Sequence, residues 1–345
     1  MWYHECPRPF TDHTYKVDHG VQCDVRIWPA EDASAPSPFV LYFHGGAFFA
    51  GKHHLPNAWV IPALRPKGFH VVSVAYRYTP HVSLLDQVQD GIDAYAWCRE
   101  NLPPILGEDK VDVDRFVLIG ESAGGLIVTL LGPRLSPTPR AIVNIYGPVD
   151  LLDPAMNPNT PPSATDIQPI SGEFPEEDVA AGTKERDPSK ALTLCPFDFD
   201  VPVETYRKLW ALPSYEYTRD QRFQYDVKRY CRTHKLLWNV LLRQEECKSD
   251  DEYVERRAAQ SPLRLLDEKK GYPATVVLHG EDDRVVGVKQ GRDFANRLRE
   301  IGVDVLELIE PREGHEFDNK YTSSEVAGWD TYIAPIAEFL VRHTA

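Results

Sequence analysis

The stretch Gly120-Glu121-Ser122-Ala123-Gly124-Gly125 sets one serine among small residues. A serine hydroxyl is a weak nucleophile at neutral pH and needs an adjacent base to take its proton. It also needs exposure. Residues 115–120 form an apolar run ending in glycine, and residues 124–131 continue as a helical pattern. A strand that turns sharply into a helix pushes the intervening side chain out of a sheet, and small neighbours permit so tight a turn. Upstream, His44-Gly45-Gly46-Ala47-Phe48 directly follows a second apolar run at 39–43. Acyl transfer develops negative charge on a former carbonyl oxygen, and preorganised backbone N–H groups stabilise it. Gly45, Gly46, Ala47 and Ala123 are the candidate oxyanion-hole residues. The N–H groups of Gly46, Ala47 and Ala123 are the expected donors, and Gly45 shapes the turn.

The base must come from twelve histidines. His4, His13, His19 and His343 lie near the termini or in early strands and are expected to be exposed. His53 and His54 lack a third ligand at metal spacing and read as solvated loop residues. His44 and His279 each close a strand before a glycine, where a side chain orients a loop. His234 lies on an apolar helix stripe. His315 follows Gly314 in a loop after the last expected strand, a position from which an imidazole can reach over a sheet edge to a serine. An orienting carboxylate is expected in Glu281-Asp282-Asp283, after the apolar run 274–278 and His279-Gly280. Asp283 stands farthest past the strand end, with Asp282 next and Glu281 left to solvent.

These pieces need a scaffold. Residues 14–29 alternate polar and apolar and read as two strands meeting near Gly20. The runs at 39–43, 69–76, 115–120, 141–146, 274–280 and 303–309 suit strands buried on both faces of a mainly parallel sheet. Helical spacing marks 83–101, with Ser83 and Asp86 as a capping box, and also 288–301 and 325–342. Strands alternating with helices describe an α/β doubly wound sheet. From 151 to 262 the pattern changes. Ten prolines fall between Pro154 and Pro213, aromatics are dense, and one helix stripe runs through Val227, Tyr230, Cys231, His234, Leu237, Trp238 and Leu241. This reads as an inserted, partly helical lid (151–262) on a core formed by 1–150 and 263–345. Its aromatics fit either the insertion's own core or the wall of an apolar site.

The chain has 345 residues, a formal net charge of −14, 42% hydrophobic and 26% charged residues. That excludes wholesale disorder and disfavours nucleic acid and anionic membranes as partners. No apolar run is long enough to span a bilayer, the N-terminus has no secretory pattern, and Arg-His-Thr-Ala at the end matches no retention signal. Six cysteines without CxxC spacing suggest free thiols in a reducing compartment, with cytoplasm expected.

Together, His44-Gly45-Gly46-Ala47, Ala75-Tyr76-Arg77, Gly120-Glu121-Ser122-Ala123-Gly124-Gly125, His279-Gly280 with Asp283, and Gly314-His315 resemble the hormone-sensitive-lipase-like branch of the α/β-hydrolases. That branch is rich in carboxylesterases. The resemblance implies the α/β-hydrolase fold, a Ser122–His315–Asp283 triad with Asp283 preferred to Asp282, and activity without metal or cofactor. Departures are Ala47 for a third glycine, Tyr78-Thr79-Pro80-His81 after the arginine, and no room for N-terminal cap helices. Hydrolases of this look also tailor fungal natural products. The expected reaction is hydrolysis of a small-molecule carboxylic ester, bulky and apolar, or of a lactone. The competing readings are a prolyl-peptidase-like serine peptidase or amidase, a transacylase, and a ligand-binding protein on the same fold. Oligomeric state is not legible in these residues.

Overall fold

The computed structural model describes residues 4–32, 35–156, 168–267 and 271–345. Eight strands form one sheet: β1 (Thr11–Asp18), β2 (Val21–Trp28), β3 (Ser37–Phe43), β4 (His70–Val74), β5 (Val111–Glu121), β6 (Ala141–Ile145), β7 (Ala274–Gly280) and β8 (Val305–Glu310). Their spatial order is β1-β2-β4-β3-β5-β6-β7-β8. β1 and β2 pair antiparallel, β2 runs antiparallel to β4, and all other neighbours are parallel. The expected mainly parallel α/β sheet therefore holds. His19 and Gly20, both at positive φ, make the two-residue turn between β1 and β2, the geometry whose twist matches a hairpin.

The helices are α1 (Val60–Leu64), α2 (Leu84–Leu106), α3 (Ala123–Leu131), α4 (Glu176–Gly182), α5 (Val203–Leu209), α6 (Arg219–Thr233), α7 (Leu237–Leu241), α8 (Asp250–Ala259), α9 (Pro262–Leu265), α10 (Lys289–Glu300) and α11 (Ala334–Thr344). Ser83 caps α2 through the reciprocal Ser83–Asp86 bonds. Helices cover both faces of the sheet, so β3, β4 and β6 are buried almost throughout. That explains their unbroken apolar runs.

Two expectations about helices need correction. The stripe from Val227 to Leu241 is two helices, not one. Lys235 takes a left-handed conformation and Leu236 N–H bonds back to Cys231 O, which closes α6. The apolar residues of both pieces, Val227, Cys231, Val240 and Leu241, still join the large core cluster that contains Phe39, Leu41 and Leu118. The closing helix begins at Trp329 in a π-turn and becomes α-helical only at Ala334.

The chain leaves β3 toward β4 on one side and, after β4, crosses back to β5 on the other. β3 and β5 thus flank a topological switch point, where the loops at their C-terminal ends diverge and leave a crevice. The loops after β3, β5, β7 and β8 all emerge at this same edge.

Candidate functional site

Glycines fix the turn after β5. A Cβ on Gly120 would lie 2.2 Å from Gly124 O, one on Gly124 2.1 Å from Phe43 O, and one on Gly125 2.4 Å from Asn144 Oδ1. The turn therefore packs backbone against backbone. Ser122 at its apex has φ 50° and ψ −115°, a conformation that L-residues occupy only when the surroundings impose it. Its N–H is tied to Ile145 O at 2.8 Å.

Ser122 Oγ lies 3.0 Å from His315 Nε2, and His315 Nδ1 lies 2.7 Å from Asp283 Oδ2. A proton on Nδ1 donates to the carboxylate and leaves the Nε2 lone pair facing the serine hydroxyl. Asp283 is almost fully buried. Its Oδ1 accepts from the N–H groups of Val285 (2.8 Å) and Val286 (3.0 Å). Burial alone would raise its carboxyl. The hydrogen bonds from His279 and His315, the attraction of His315 and the Val286 N–H outweigh burial and hold it well below the usual carboxylate range. Asp282 and Glu281 point to solvent, and Glu281 pairs with Arg292.

The loop after β3 curls beside the serine. Gly46 (φ 126°), Ala47 (φ 55°) and Phe48 (φ 70°) are all left-handed, and a Cβ on Gly46 would strike Ala50 O at 1.9 Å. The N–H groups of Gly46, Ala47 and Ala123 have no acceptor among the described residues, and Ala123 opens α3. Gly45 differs from these three. Its N–H donates to Glu121 Oε1 at 3.0 Å, so it locks the loop to the serine turn rather than facing a substrate. His44 Nδ1 donates to Gly45 O at 2.7 Å, and its ring stacks on Tyr76. Burial pushes His44 down to about 3, so it is neutral and acts as a fixed strut. His279 holds the other loop by donating from Nε2 to Val286 O at 2.8 Å.

Other histidine expectations fail as well: His13 and His343 are partly buried, and His234 is exposed. His53 and His54 are buried, with ring centroids 3.9 Å apart, and His4 is partly buried against the cavity beside Ser122. Burial lowers His53 to about 3 and His4 to about 4. The polar pair at 53–54 looks like a loop in sequence, but Trp210 of the insertion stacks over His54.

One carboxyl escaped sequence reasoning altogether. Asp318 is fully buried, and its Oδ2 accepts from Asn57 Nδ2 and Trp59 Nε1, both at 2.7 Å. Tyr146 OH lies 2.8 Å from Asp318 Oδ1 and 3.2 Å from Glu121 Oε2, and its ring packs on His315 with centroids 4.5 Å apart. The phenol has one proton for two carboxyl groups. A proton on Asp318 satisfies both contacts, because Asp318 then donates to Tyr146 and Tyr146 donates to Glu121. Burial, then the charge of Glu121, raise Asp318 to about 6.

That shift has a sign. An aspartate is protonated below about 4 when unfolded, so between about pH 4 and 6 the folded state holds the extra proton. Deprotonation above 6 then costs on the order of 3 kcal/mol. The neutral buried histidines act oppositely, since unfolding lets them charge in acid. The comparison must therefore be with Asp318→Asn. Relative to that variant, the wild type should gain on the order of 3 kcal/mol as pH falls from 7 to 4. Urea unfolding at several pH values measures it, and a pH-independent difference would rule the shift out.

Two cavities meet at Ser122. One of about 630 Å³ is lined by Phe197, Tyr206, Trp210, Tyr225 and Phe317, with Lys52 and Lys228. The other, about 120 Å³, is bounded by Phe48, Leu237, Trp238 and Val286. Tyr206 and Trp210 stack on each other at 4.2 Å within a core cluster, and the same rings wall the cavity.

A family profile described as the α/β-hydrolase fold matches residues 40–174, and one described as the prolyl oligopeptidase family matches residues 214–344. The chain has the α/β-hydrolase fold. A hyperthermophilic esterase from the archaeon Pyrobaculum calidifontis superposes with a TM-score of 0.58 at 20% identity, over 98% of this chain and 87% of that one. At that identity the α/β-hydrolase likeness is one of fold. By sequence the chain is 27% identical over 344 residues, 95% of its length, to the non-reducing polyketide synthase Preu6 of Preussia isomera. It is 33% identical over 311 residues, 81% of its length, to the non-reducing polyketide synthase ausA of Aspergillus calidoustus. It spans only 14% and 12% of those much longer proteins. Among the described residues no helix is long and apolar enough to cross a membrane.

Proposed function

We propose that this chain is a serine hydrolase that cleaves a bulky carboxylic ester through an acyl-enzyme. The observation that carries the reading is the chain Ser122 Oγ–His315 Nε2 (3.0 Å) and His315 Nδ1–Asp283 Oδ2 (2.7 Å). Ser122 Oγ attacks the acyl carbon as its proton passes to His315 Nε2. The tetrahedral oxyanion takes hydrogen bonds from Gly46, Ala47 and Ala123. The bond to the leaving oxygen breaks, and His315 returns the proton to that oxygen. Water, deprotonated by the same imidazole, then releases the acid and restores Ser122. Asp283 stabilises the imidazolium formed in each step. Residues 151–262 act as a lid whose aromatic side chains receive the substrate. Relatives named as polyketide synthases support an acyl group of natural-product type, joined through an oxygen or a thiol ester.

The prolyl oligopeptidase match over 214–344 favours one second reading, amide cleavage. A panel of matched esters, thioesters, lactones and amides with one acyl group, run with chelator present, separates the two. Ester or thioester turnover well above amide turnover is expected. Amide turnover as fast as ester turnover would overturn the esterase reading.

A further inference from the structure

Lys52 and Lys228 line the large cavity beside Ser122, and neither ammonium has a hydrogen bond or ion pair among the described residues. Lys228 is 7% exposed. Its Nζ sits 4.9 Å from the ring centroids of Phe197 and Tyr225, which offset only part of the cost of taking an ammonium out of water. Lys52 is half-buried, next to His4 and His53, whose imidazoles it disfavours protonating. A buried cation without a carboxylate is expensive to keep.

The acids on the same wall are Glu121, Glu313 and Glu316. The two oxygens of Glu121 are engaged by Gly45 N–H and Tyr146 OH. Glu313 pairs with Lys320 at 2.8 Å. Glu316 is exposed and acts on both lysines only at a distance. The cavity wall thus joins flat aromatic surface to two ammonium groups that no carboxylate contacts among the described residues, with Arg232 on the same wall and Glu121 and Glu316 acting on Lys52 only through space. The small cavity across Ser122 is lined mostly by apolar residues, Phe48, Leu237, Trp238 and Val286 among them, and also by Arg232 and Lys235.

We propose that the large cavity binds the aromatic part of the substrate through an anionic oxygen group on it, held by Lys52 and Lys228, while the small cavity takes the lesser group across the scissile bond. This rests on the serine-hydrolase reading and deepens it, because it names the substrate class as an aromatic ester bearing a negative charge. The charge has two chemical sources, a carboxylate or a phosphate, and both present the same anionic oxygens to an ammonium.

The test uses 4-carboxyphenyl acetate, 4-(phosphonooxy)phenyl acetate and their neutral isostere 4-carbamoylphenyl acetate. Monomethyl terephthalate and methyl 4-carbamoylbenzoate place the aromatic group on the acyl side instead. The wild type should favour a charged ester over its neutral partner by tenfold or more in kcat/KM in at least one orientation. The carboxylate and phosphate arms rank the two sources. Lys228→Met and Lys52→Met should each cut that ratio about tenfold, and Lys228→Arg should keep it. A wild type that turns over the neutral esters with no charge preference overturns the proposal and leaves the hydrolase intact. A preference that survives both methionine variants also overturns it. No turnover of any ester and no fluorophosphonate labelling of the wild type would mean that the hydrolase reading itself fails. Should the methionine variants not fold, the wild-type ratio alone decides.

Discussion

Ser122→Ala is expected to lower kcat/KM for an activated aryl ester by about four to six orders of magnitude, and to remove fluorophosphonate labelling in the same step. The size follows from the geometry. Ser122 Oγ is the one hydroxyl within hydrogen-bond distance of His315 Nε2 among the described residues, so no second nucleophile can substitute. The Gly46, Ala47 and Ala123 N–H groups would remain, and oxyanion donors with substrate binding leave a residual rate above that of water. The fold should survive, because the Ser122 side chain contributes no bond to the turn. Its backbone is held by Ile145 O and by the close Gly120–Gly124 contact. Labelling by fluorophosphonate located by mass spectrometry, with circular dichroism of the variant, checks both halves. Label retained in a folded Ser122→Ala protein would refute the assignment.

Much of the scaffold was legible because local and global demands coincide in it. The apolar runs at 39–43 and 141–146 are β3 and β6, buried on both faces, and Ser83 with Asp86 starts α2 where their spacing says. The helix break at Lys235 was not legible. The apolar stripe continues on both sides of it because α6 and α7 pack on one cluster, and periodicity cannot see a left-handed residue that carries a side chain.

At the site, the blocks around His44, Ser122, Asp283 and His315 stood out because each joins a strand end to small or polar residues. Their supports did not stand out. Glu121 sits inside the serine motif, yet its work is to hold Gly45 N–H, a partner 76 positions upstream. Asp318 draws Asn57, Trp59 and Tyr146 from three separate segments. Nothing at local spacing announces either. Lys228 lies on α6, and the seating of that helix over the crevice brings it to the cavity wall. Buried polar side chains are the category that sequence reading loses, since their partners are set by tertiary contact alone.

Asp283→Asn should lower kcat/KM by about 10⁴-fold, whereas Asp282→Asn should change it by no more than about twofold. The two acids are adjacent in sequence, so charge, loop propensity and distance along the chain are matched. What differs is direction. Asp283 Oδ1 is committed to the Val285 and Val286 N–H groups and Oδ2 faces His315 Nδ1. In the asparagine variant the amide oxygen keeps the two backbone donors, which turns the NH₂ group toward the imidazole. Nδ1 must then accept, the ring proton moves to Nε2, and the lone pair needed to deprotonate Ser122 is gone. Stability should fall too, with a definite pH dependence. The folded carboxyl lies below its unfolded value, so its contribution is complete above about pH 5 and is lost as pH drops through the acid range. The gap in unfolding free energy between wild type and Asp283→Asn should accordingly close on acidification, opposite in sense to that of Asp318→Asn. Asp282 is exposed, and among the described residues only its backbone N–H is engaged, by Glu313 O, so neither rate nor stability should respond to its charge. Equal losses in the two variants, measured as kcat/KM at pH 7 alongside urea midpoints, would remove Asp283 from the orienting role.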